Sequence, residues 1–115
     1  EPGAAEIHRL RKSEVGGMGH GGEFETSFQL ATRPELVKME RLAGVHAPLV
    51  GWDLVAPVTP SRTYARRPTP AINHASIFGD PGPATAESGI KFIETTVNAL
   101  EQLVSNIQVA YQERK

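Results

Sequence analysis

The chain has 115 residues, 39% of them apolar, with 11 glycines, 9 prolines, no cysteine and a net charge of −1. This balance offers no basic stripe to a phosphate backbone, and the missing thiols exclude disulfides, zinc–thiolate sites and cysteine nucleophiles. No apolar run approaches the roughly 20 residues that span a bilayer, and nothing reads as a signal peptide. The expectation is therefore a cytoplasmic protein with neither nucleic acid nor membrane as partner. A domain this small and this rich in loop buries only a modest core, which predicts packing against something else. Glu1 in place of methionine fits a fragment, a processed product or a trimmed one.

Residues 6–14 read as a short polar helix, with Ile7 and Leu10 at helical spacing. Residues 16–22, Gly-Gly-Met-Gly-His-Gly-Gly, are a loop whose backbone must pass close to something, because such a run loses too much entropy in regular structure. Residues 23–32 predict a second helix, since Phe24, Phe28 and Ala31 fall on one face and Pro34 stops the segment. Residues 35–42 are ambiguous. Residues 44–80 predict a long ordered loop with one short strand at 54–58.

Ile90, Ile93, Val97, Leu100, Val104, Ile107 and Tyr111 are spaced alternately three and four apart. This pattern predicts a long amphipathic helix with one apolar stripe. Asp80 and Thr85 are candidate caps, and Glu87 suits the positive end of the helix dipole. The stripe fits a helix that covers a sheet; a coiled-coil seam is the alternative.

Gly17, Gly19 and Gly22 match a dinucleotide-type glycine pattern, but residues 6–14 are not the apolar strand such a site requires. His20 carries more chemical interest. Its glycine neighbours leave it open to a ligand, and an imidazole can donate or accept a proton at neutral pH. Glu23 and Glu25 follow closely, and a carboxylate beside a histidine fixes its tautomer. The alternative is a solvent-facing loop histidine. A metal pair of His20 and Glu23 is conceivable, yet such sites require three or four ligands, and His8, His46 and His74 stand isolated. Thr26 and Ser27 suit capping better than nucleophilic work. Trp52, beside Asp53, can wall a substrate pocket or anchor a subunit contact.

His20-Gly21-Gly22-Glu23-Phe24-Glu25-Thr26-Ser27 is similar to the His-(Ala/Gly)-Gly-x-x-Glu-Thr-Ser motif of the creatininase family. Arg33-Pro34-Glu35-Leu36-Val37 resembles that family's continuation, and Gly79-Asp80-Pro81, Ala84-Thr85 and Glu87-x-Gly89 resemble its later Gly-Asp-Pro block. The resemblance covers about residues 16–109. It implies an α/β fold, the C-terminal part of a three-layer α/β/α sandwich with a mostly parallel sheet, closing on a long helix. It also implies a site with two divalent metals, zinc, manganese or iron, and hydrolysis of a C–N bond in a cyclic or other non-peptide amide or a formamide.

In that resemblance His20 matches the histidine that handles a proton at the scissile nitrogen, and Glu25 the glutamate that supports it. Gly19, Gly21 and Trp52 would then line the substrate, with Glu23 a minor candidate ligand. The family's other metal-ligand blocks have no match here, so residues 1–115 are expected to be the C-terminal segment of one domain whose N-terminal half is missing from this sequence or lies on a companion chain, as a separate or a cleaved partner. The resemblance further implies a homo-oligomer, a hexamer in the family, and a small-molecule amide substrate. The family's creatinine hydrolases carry a Trp-Asp pair where this chain has Gly16 and Gly17, which argues against creatinine itself. A non-catalytic assembly module that uses Trp52 and the stripe is the reading from another class.

Overall fold

The computed structural model describes residues 2–42 and 76–113, and all regular structure within them is helical. Three α-helices, α1 (Pro2–Leu10), α2 (Glu23–Thr32) and α3 (Ala86–Gln112), are joined by the glycine loop and by 3-10 turns at Pro34–Leu36 and Met39–Leu42. The expected strand at 54–58 lies outside the described residues, as do Trp52, His46 and His74. No strand occurs among the described residues, so the expected sheet is not part of them.

α1 begins and ends earlier than its charge pattern suggests. Proline is tolerated in a first helical turn, where an N–H has no partner in any case, so Pro2 can open the helix. Its end is set from a distance: the Lys12 and Ser13 amides turn away to the Glu23 carboxylate, 11 and 10 residues along the chain. α2 matches its expected bounds, with Arg33 as its C-cap and Pro34 next after it. α3 is capped by Thr85, whose side chain accepts from the Ser88 amide at 3.1 Å. Glu87 in its first turn pairs with Lys91 one turn on, at 2.7 Å. Asp80 is not the cap; it accepts from the Gly82 amide at 2.9 Å and tightens the turn before the helix.

Both α1 and α2 pack on α3. The core is small: Ile7, Met18 and Phe92 are buried, with Ala4, Leu10 and Phe24 packed around them. The Phe24 and Phe92 rings lie 5.2 Å apart in a tilted pair. Met18, fully buried, ties the glycine loop to this core. Burying a side chain of this size contributes about 1.5–3 kcal/mol, which makes Met18 the loop's one apolar anchor.

The face of α3 that packs is not the apolar stripe. Ser88, Gly89 and Phe92 are the buried positions. A Cβ on Gly89 would lie 2.0 Å from the Ser27 carbonyl oxygen and 2.8 Å from the Ala31 Cβ, so α2 and α3 cross at backbone contact. At about 100° per residue, the stripe lies roughly a quarter turn away from this face. Along it Val97 is 46% exposed and Tyr111 69% exposed. Close helix approach selects small residues, and these carry no hydrophobic signal for a pattern search to find.

Candidate functional site: a glycine loop that presents a histidine

The loop at residues 16–22 is closed on itself and docked on a second loop. The Gly22 amide donates to the Gly19 carbonyl at 2.8 Å, and the Glu23 amide to the Gly17 carbonyl at 3.2 Å. From the other segment, the Phe78 amide donates to the His20 carbonyl and the Asp80 amide to the Gly17 carbonyl, each at 2.8 Å. Two stretches more than 50 residues apart in sequence therefore interlock backbone to backbone. This contact explains the glycines. A Cβ on Gly19 would sit 1.8 Å from the Phe78 carbonyl oxygen, well inside contact distance. Gly21 holds a φ of +66°, which side-chain-bearing residues adopt only with strain.

Each residue of the Glu-Thr-Ser run serves this arrangement. The Glu25 carboxylate accepts from the Gly21 amide at 2.5 Å. The Thr26 hydroxyl donates to the Gly21 carbonyl at 3.0 Å. Ser27 is fully buried, and its hydroxyl accepts from the Thr85 amide at 3.2 Å. That last bond ties α2 to the residue that caps α3, so the motif around His20 and the motif that opens α3 form a single unit. Capping and backbone bonding, rather than nucleophilic chemistry, account for both hydroxyls.

With its backbone carbonyl fixed, the His20 side chain stands outward and is 67% exposed. Its Nδ1 lies 3.7 Å from the Glu25 Oε2, a contact longer than a hydrogen bond. The carboxylate faces one ring nitrogen and leaves the other open to a ligand. Backbone-fixed loop, outward imidazole and flanking carboxylate together make a geometry suited to moving a proton.

Glu23 is placed differently. Its side chain is fully buried, accepting from the Lys12 amide at 2.9 and 3.0 Å and from the Ser13 amide at 2.7 Å. Both oxygens are engaged, so this carboxylate anchors the start of α2 to the end of α1. Among the described residues no group of three or more His, Asp or Glu side chains could hold a metal ion. The described residues therefore do not fit a two-metal centre. Gly19 and Gly21 lie in the loop as expected, but Gly19 is buried against Phe78. Trp52 lies outside the described residues.

A groove of about 900 Å³ opens beside Glu25, walled by Phe24, Phe28, Leu36, Val37 and Ile77, with Lys38 and Arg41 at its lining. Sequence periodicity alone did not find it, because its far wall comes from the two 3-10 turns, which carry no repeating pattern. Among the described residues no helix is long and apolar enough to cross a membrane.

A family model described as creatinine amidohydrolase matches residues 3–104, nearly the whole chain. Comparison with curated proteins and with solved structures gives no match.

Proposed function

The chain belongs to the creatininase family, an α/β family of metal-dependent amidohydrolases, and from that premise we propose that it contributes the proton-transfer group of an amide-hydrolysing site. The observation that carries the reading is His20: an outward imidazole on a backbone-locked loop, with the Glu25 carboxylate 3.7 Å from Nδ1. Hydrolysis of an amide stalls unless the leaving nitrogen gains a proton as the C–N bond breaks. In this reading His20 delivers that proton from its open nitrogen, and Glu25, facing the other, orients the ring. The substrate is a cyclic or other non-peptide amide or a formamide.

The chain is the C-terminal segment of its domain, and the N-terminal half of the same enzyme, as a companion chain, brings the two divalent metals, zinc, manganese or iron. The support is twofold. Glu23 is engaged by backbone amides, and the exposed stripe on α3 is apolar surface of the kind a companion covers. Assembly of copies into a cytoplasmic homo-oligomer, a hexamer as in the family, completes the proposal.

The test is kinetic. In the complete enzyme, His20→Ala should lower kcat by about 10²–10⁴, the range for loss of a general acid–base, with metal content unchanged. Metal lost from the variant would place His20 among the ligands instead. Unchanged kinetics would return it to an ordinary loop histidine.

A further inference from the structure

We propose that the groove beside Glu25 is a substrate subsite that selects amides carrying both an apolar side group and a carboxylate. The inference rests on the amide-hydrolase reading and names the substrate class of that same site. Its volume, about 900 Å³, suits a small molecule. One wall is the pair Phe24 and Phe28, one helical turn apart on α2, their rings 6.1 Å between centroids. Across from the loop, Leu36 stands 62% exposed, a large apolar side chain left in water. An apolar body laid here would cover these surfaces and lie against Glu25, the carboxylate that faces His20.

Apolar walls alone would accept any greasy molecule, and the charges make the groove selective. Among the described residues the Lys38 ammonium bonds only to the Glu35 carbonyl, at 3.1 Å, and meets no carboxylate. Arg41 makes no ion pair among the described residues. Glu35 is held instead by Arg33, at 2.7 Å. With Glu25 on the same lining, the described residues of the groove carry one positive charge in excess. A monoanionic carboxylate satisfies it; a dianionic phosphate would leave a negative charge uncompensated. Arginine in addition presents a planar fork that matches a carboxylate in two parallel bonds.

The experiment titrates the chain, at low salt and followed by NMR, with N-acetylphenylalanine and with its uncharged counterpart N-acetylphenylalaninamide. The acid should bind about tenfold more tightly, as charge-assisted bonds at a partly exposed site allow. Shifts should centre on Phe24, Phe28 and Ile77. In the double variant Lys38→Gln, Arg41→Gln, both on the surface, the two probes should bind equally. Equal affinity in the unaltered chain, binding of neither probe, or a preference that survives the double substitution would each overturn the proposal. Turnover separates this from the catalytic reading. A complete enzyme whose rate is indifferent to His20→Ala, with the probe preference intact, contradicts the catalytic role alone. His20-dependent turnover with no probe preference contradicts the groove assignment alone.

Discussion

The glycine loop and the distal turns of α3 are built from opposite materials. The loop has one buried large side chain, Met18, and is otherwise held by backbone bonds, by the Glu25 and Thr26 side chains on Gly21, and by close contacts that only glycine allows. The distal turns carry Leu100, Leu103, Val104, Ile107 and Val109, all more than half exposed. One region is almost without apolar surface and closely packed; the other is rich in it and leaves these five side chains more than half in water. Apolar content therefore does not locate the structured site in this chain. Close backbone contact does, and it places the outward histidine where the structure is most constrained.

Substitutions at the interlock should have the largest effect. Gly89→Val puts atoms where the Ser27 carbonyl oxygen already lies, and forcing the helices apart should cost about 3 kcal/mol or more in a denaturant titration. A variant as stable as the parent would mean that α2 and α3 do not cross so closely. Glu23→Ala comes next. It removes the acceptor for the Lys12 and Ser13 amides, one part-buried and one buried, and stranding the buried donor should cost about 1–3 kcal/mol. Glu23→Gln, which keeps one oxygen, should recover part of that loss.

The distal turns should respond in the reverse sense. Leu100→Glu together with Ile107→Glu should alter the stability of the chain alone by less than about 0.5 kcal/mol, the usual scale for exposed sites. The same pair should abolish assembly with the companion, as read by size-exclusion chromatography. Strong destabilisation of the isolated chain would mean that the stripe is satisfied internally. The smallest effect belongs to Glu87, whose carboxyl is held below the usual range chiefly by its hydrogen bond to Lys91. A lowered folded-state pKa contributes stability above the ordinary carboxylate range and loses it as pH falls through the folded value. The slight difference between the parent and Glu87→Gln should thus be seen near neutrality and vanish in acid.

Much of this was legible in the sequence where a signal repeats or a turn residue interrupts. α2 was readable from Phe24, Phe28 and Ala31 and from the stop at Pro34, and Thr85 was readable as a cap. The proximity of His20 and Glu25 follows from their spacing across a helix start. The packed face of α3 was not legible, because Ser88 and Gly89 are chosen for smallness. Nor was the position of Glu23, whose partners are backbone amides identical in every residue type. The end of α1 failed for the same reason, since those amides draw the chain out of the helix.

The most direct test of His20 as a proton-transfer group is chemical rescue. Free imidazole added to the complete His20→Ala enzyme should restore turnover in proportion to its concentration, with metal content constant and with no gain in the parent. A variant that retains its metals and its fold, shows the loss in rate, and gains nothing from imidazole at any concentration would contradict the account.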